Sequence, residues 1–86
     1  MKYDIELKPQ AIKDLRIIPI IRTKRIFNGL EILTNDLKGD VKRLTGFSPE
    51  FRLRVGNYRI LFEIESGNKI IIYRVIHRKD AYKKRK

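Results

Sequence analysis

Phe51-Arg52-Leu53-Arg54-Val55-Gly56-Asn57-Tyr58-Arg59-Ile60-Leu61-Phe62 is the stretch on which the fold turns. Two runs of alternating polarity meet at Gly56-Asn57. Glycine at the first central position of a two-residue loop takes the backbone conformation of a type II′ hairpin at little cost. With that loop, Val55 faces Tyr58, Arg54 faces Arg59, Leu53 faces Ile60 and Arg52 faces Leu61. Register decides which side chains are neighbours. One face of the hairpin is then apolar from Phe51 to Ile64, and the other carries Arg52, Arg54 and Arg59.

Downstream, the strand pattern resumes at Lys69 and runs to His77 after a second Gly-Asn step, Gly67-Asn68. Read again as a two-residue loop, it sets Ser66 against Lys69, Leu61 against Arg74 and Arg59 against Ile76. Ile71, Tyr73 and Val75 then join the core, while Arg74 and Arg78 join the arginine side. A three-residue loop, Ser66-Gly67-Asn68, would bury Arg74 among Phe62 and Ile60. An unpaired guanidinium is too costly to bury, so the shorter loop is expected. Five arginines therefore converge on one face. Like charges facing each other, as Arg54 and Arg59 do, cost a few tenths to about one kcal/mol. Such breaches of a local stability rule tend to mark functional sites. Glu63 shares the face and is expected to pair with some of these bases, but it cannot neutralise all five.

Upstream, Tyr3, Ile5 and Leu7 alternate with charged residues, the pattern of a half-buried strand. Pro9 suits the first turn of a helix. Ala11, Ile12 and Leu15 form its apolar stripe, with Lys13, Asp14 and Arg16 opposite, and Pro19 ends it. From Ile20 to about Leu37, apolar residues recur every three or four positions, as an amphipathic helix requires. Val41 to Leu44 is a brief strand or extended lead-in. The expected fold is one α+β domain over residues 1–86: N-terminal strand, helical hairpin, three-stranded antiparallel meander and a basic tail from about residue 78.

Composition narrows the chemistry. Twenty-one Lys and Arg stand against ten Asp and Glu, a net charge of +11. Residues 1–43 hold ten bases and six acids, residues 44–86 eleven and four. A field of this sign attracts polyanions, nucleic acid above all. No cysteine and a single histidine leave no thiolate or multi-histidine metal site, so no cofactor is expected. No apolar run approaches the roughly 18–20 residues that span a bilayer, and the N-terminus lacks a signal-peptide pattern. A cytoplasmic protein without a membrane role is expected.

Two motifs carry a resemblance. Arg43-Leu44-Thr45-Gly46 followed by residues 51–62, and the ending Val75-Ile76-His77-Arg78-Lys79-Asp80-Ala81-Tyr82, resemble the signature of RelE toxins in the RelE/ParE superfamily. The likeness covers nearly the whole chain and implies the RelE-like microbial ribonuclease fold. It also implies the toxin of a type II toxin–antitoxin system: a metal-independent, ribosome-dependent endoribonuclease that cleaves mRNA in the A site. In that chemistry the ribose 2′-OH attacks its own 3′ phosphate. By the resemblance the working groups are Arg52, Arg54, Arg59, Arg78 and Tyr82. Arg59 clamps the phosphate, Arg78 serves the leaving side, and Tyr82 orients or stacks on a base. Arg74, Lys79, Lys83, Lys84 and Arg85 would add RNA contacts. Implied partners are an acidic RelB-like antitoxin, the ribosome with its mRNA, and operator DNA bound through the antitoxin.

One departure from the family leaves the proton acceptor open. Some members have lysines at the positions of Arg52 and Arg54, and a guanidinium stays protonated at neutral pH. Imidazole titrates near neutrality, which makes His77 a possible proton-transfer residue. The register equally allows His77 to be a packed structural residue beside Tyr58. Glu50 and Glu63 are weaker choices, and Tyr82 could pack back on the sheet. The competing functions are a ParE-like gyrase poison, a non-catalytic nucleic-acid-binding module and a toxin relic kept only as half of a repressor complex.

Overall fold

The computed structural model describes residues 1–46 and 48–81. Strand β1 (Asp4–Leu7) leads into helix α1 (Pro9–Arg16), with proline in its first turn, and Pro19 separates that helix from α2 (Ile20–Leu33). Strand β2 (Asp40–Arg43) follows, then β3 (Phe51–Val55), β4 (Tyr58–Glu65) and β5 (Lys69–His77), and a last turn of helix, α3 (Arg78–Ala81). The order across the sheet is β1-β5-β4-β3-β2. The meander expected from residues 51–77 is its centre. Parallel β1 on β5 and antiparallel β2 on β3 extend it to five strands.

Both helices contribute to one core on one face of the sheet. Ala11, Ile26, Leu30 and Leu33 pack with Leu53, Ile60, Phe62, Ile70, Ile72 and Val75. Each large side chain so buried contributes roughly 1.5–3 kcal/mol, so this layer is the main source of stability. Helix α2 ends at Leu33, a turn earlier than its apolar pattern suggests. Thr34 closes it, donating its hydroxyl to the Glu31 carbonyl, and Asp36 and Leu37 then take positive φ. Leu37 still reaches the core, from a left-handed turn. That explains why the period ran on past the helix.

At Gly29, α2 comes close to β3. A β-carbon there would lie 2.7 Å from Val55 Cγ2. An exposed helical Gly→Ala change usually stabilises by up to about 1 kcal/mol. At Gly29 the clash reverses that sign: Gly29→Ala is expected to destabilise the fold by about 1–2 kcal/mol, read from the urea midpoint at unchanged m-value.

The first hairpin has the register that Gly56-Asn57 predicts. Val55 pairs with Tyr58, Arg54 with Arg59, Leu53 with Ile60 and Arg52 with Leu61, and Gly56 takes φ 58°. The second hairpin departs from expectation near its turn. Glu65, not Ser66, pairs with Lys69, so the loop is the three-residue Ser66-Gly67-Asn68, with Gly67 and Asn68 both at positive φ. Ile70 and Ile72 therefore enter the core in place of Ile71 and Tyr73. A β-bulge between Leu61 and Phe62 then restores the phase. Phe62 pairs with Ile72 and Leu61 with Arg74, leaving Tyr73 as the extra residue. Arg74 is thus spared the core by a bulge rather than by a short turn.

Candidate nucleic-acid interface

Two cross-strand rows lie on the face of the sheet turned away from the core cluster. One runs Asp40, Arg54, Arg59, Ile76, and the next runs Lys42, Arg52, Leu61, Arg74. Facing residues in such rows have Cβ atoms about 5 Å apart. The placement of Arg52, Arg54 and Arg59 on one surface follows directly from the first hairpin.

The opposed Arg54 and Arg59 are drawn apart by different partners. Arg54 pairs through Nε with the Asp40 carboxylate. Arg52, with only 12% of its side chain exposed, donates Nη1 to the Asp40 carbonyl (2.8 Å) and to Oδ1 (3.2 Å). The hydrogen bond from Arg52, aided by Arg54, holds the Asp40 carboxyl below its usual range. Arg59 instead donates Nη1 to the carbonyls of Gly56 and Tyr58, both at 3.1 Å. Arg78 opens α3 with its amide donated to the Asn57 carbonyl at 2.7 Å. Arg59 and Arg78 are therefore anchored on the same turn.

Arg74 has another task. Its Nε and Nη2 donate to Asp14 at 2.8 and 3.1 Å, and Asp14 Oδ2 also accepts the Val75 amide at 2.9 Å. Strand β1 covers β5 only as far as Ile72, and Asp14 supplies an acceptor to the backbone beyond it. Asp14 thus lies on the buried side of α1, not on the solvent side that its charge suggested. Burial raises its pKa, but the hydrogen bonds from Arg74, Val75 and Gln10 outweigh that, and the net shift is downward. The same pair raises Arg74. An RNA contact from Arg74 was expected; its guanidinium is committed to α1.

The proton-transfer possibilities also receive definite places. His77 pairs with Tyr58, their rings in edge contact at 5.5 Å, and its Nδ1 accepts the Lys79 amide at 3.2 Å. This is the packed arrangement on the core side. Glu63 does not join the arginines: its carboxylate accepts the Glu50 amide at 2.8 Å, and Glu50 pairs with Arg43. A shallow cleft lined by Arg43, Thr45, Gly46, Glu50 and Glu63 lies beside them. Lys79 is exposed on α3, while Tyr82, Lys83, Lys84 and Arg85 lie outside the described residues. Among the described residues, no three His, Cys, Asp or Glu side chains are grouped to hold a metal ion. No helix among them is long and apolar enough to cross a membrane.

Asp14 and Asp40 are the residues that sequence reasoning missed. Asp14 had one signal: it falls three residues from Ala11, on the buried stripe. Asp40 had none until β2 was paired with β3.

Comparison with known proteins agrees with this fold. A family model described as the ParE toxin of type II toxin–antitoxin systems matches residues 5–82. Toxin RelE3 of Methanocaldococcus jannaschii is 43% identical over 76 residues, covering 83% of this chain and 85% of its own. The RelB–RelE antitoxin–toxin complex from Methanococcus jannaschii contains a chain with TM-score 0.72 and 39% identity, covering 88% of this chain and 93% of that one. A RelE–RelB complex from Pyrococcus horikoshii gives TM-score 0.75 at 26% identity, covering 94% and 100%.

Proposed function

The chain belongs to the RelE-type toxins of type II toxin–antitoxin systems, and from that premise we propose that it is a metal-independent endoribonuclease that cuts mRNA on the ribosome. The supporting observation is the gathering of Arg52, Arg54 and Arg59 on one face, with Arg78 tied to the turn that also holds Arg59. When a ribose 2′-OH gives up its proton to water and attacks the adjacent phosphate, the bond from phosphorus to the 5′ oxygen breaks and negative charge grows on the phosphoryl oxygens. Fixed cations stabilise that charge more than they stabilise the ground state. Arg59 clamps the phosphate, Arg52 and Arg54 flank it, and Arg78 meets the departing 5′ oxygen. Packed against Tyr58, His77 is better placed to support α3 than to take a proton. The ribosome aligns the mRNA, which supplies much of the rate by positioning.

In this reading the chain is a single toxin domain acting in the cytoplasm. Its partner is an acidic RelB-like antitoxin that neutralises the basic face and carries the complex to operator DNA. Exposed Ile17, Ile20 and Ile21, on α2 and the residues before it, give such a partner apolar surface to cover. The description of the family model favours a second reading, a gyrase poison. Two assays separate them. Added to a purified translation system, the chain is expected to cut mRNA only during translation, and to leave gyrase supercoiling unchanged. Inhibited supercoiling with intact mRNA would replace the ribonuclease reading with the other.

A further inference from the structure

Asp40 is the one acid in the two rows that carry the arginines, surrounded by Arg52 and Arg54 on β3, Arg59 one strand further and Lys42 on its own strand. Its carboxylate touches both Arg52 and Arg54. The contacts run through Nη1 of one guanidinium and Nε of the other. A guanidinium has five N–H donors, so other donors on both remain to meet a second anion. Carboxylate and phosphate oxygens present the same kind of acceptor to that fork.

We infer that Asp40 is a positioning residue, which fixes Arg52 and Arg54 by occupying them as an internal substitute for the RNA phosphate. The inference rests on the ribonuclease reading and assigns the regulation of that same site. With Asp40 in place, two long side chains are held before RNA arrives. The cost is a fixed negative charge that repels the incoming phosphate and offsets the charge of the same two guanidiniums. Removing it therefore has two opposite effects. RNA is bound more tightly, because a competing anion is gone. Chemistry is slower, because Arg54 loses its anchor and Arg52 keeps only the Asp40 backbone carbonyl. Simple damage to the site would weaken both.

Single-turnover cleavage of ribosome-bound mRNA, followed against toxin concentration, separates the two effects. Asp40→Ala is expected to lower the maximal rate at least about tenfold while lowering the half-saturating concentration about twofold or more. Asp40→Asn keeps an oxygen for Arg52 without the charge, and its rate is expected to fall between the two. Asp36→Ala is the control. It removes the same unit of charge from a carboxylate paired with the N-terminus at 2.9 Å, and should move neither parameter. Circular dichroism melts check folding, and Asp40→Asn serves if Asp40→Ala melts early. An unchanged maximal rate overturns the inference, as does a half-saturating concentration that rises while the rate falls. A wild-type chain that makes no cut at all overturns the ribonuclease reading itself, which is a different result.

Discussion

Arg59→Ala and Arg78→Ala are each expected to reduce translation-dependent mRNA cleavage at least about 100-fold, the usual cost of removing one fixed donor from a transition state that gathers charge. The Arg59 guanidinium is anchored on the Gly56-Asn57 turn, and the Arg78 backbone amide is donated to the same turn. Neither makes a salt bridge among the described residues, so their loss leaves no carboxylate stranded and the fold should persist. Arg16→Ala removes the same charge from the exposed side of α1 and serves as the control. A general electrostatic effect would weaken all three variants alike. Cleavage within a few-fold of wild type in both Arg59→Ala and Arg78→Ala would remove these residues from the site.

Asp14→Ala is expected to give the largest loss of stability, about 2–4 kcal/mol. It leaves the Val75 amide without its acceptor and the Arg74 guanidinium without its counter-ion. Part of the Arg74 loss is recovered by hydration, since a third of that side chain is exposed. In a domain of this size the melting temperature should fall by more than about 10 °C. A fall of under about 3 °C would show that the pair contributes little. The pH dependence has a definite sign. The folded-state pKa of Asp14 lies below its unfolded value of 3.8, so its contribution is full above pH 3.8 and is lost as pH falls through the folded value. Asp14→Ala should therefore unfold less steeply with acid than wild type does. Asp36 and Asp40, also lowered, retain their share of the acid dependence.

What the sequence revealed and what it hid divide along the range of the interactions. Gly56-Asn57 is a local signal, and through it residues 51–62 specified both a hairpin and the arginine face. The proline positions at 9 and 19 bounded the helices in the same way. The end of α2 was hidden because Leu37 keeps a helical spacing while reaching the core from a left-handed turn. Asp14 and Asp40 were hidden because their partners are distant in sequence: Arg74 lies sixty residues from Asp14, and Arg52 twelve from Asp40. Charge on an amphipathic helix reads as solvent-facing until its partner is known. The second hairpin is the instructive case. The argument that Arg74 would not be buried gave the correct pairs, Leu61 with Arg74 and Arg59 with Ile76, for the wrong reason, because the loop it ruled out is the one present.

Tyr73 lets the two ends of the β4–β5 hairpin keep different phases. One surplus residue shifts the phase of everything between it and the Ser66–Asn68 loop, while the pairs from Leu61–Arg74 onward stay as they are. The half of the hairpin beyond Tyr73 answers to the core through Phe62, Ile70 and Ile72, and the half nearest the Gly56-Asn57 turn answers to the arginine face.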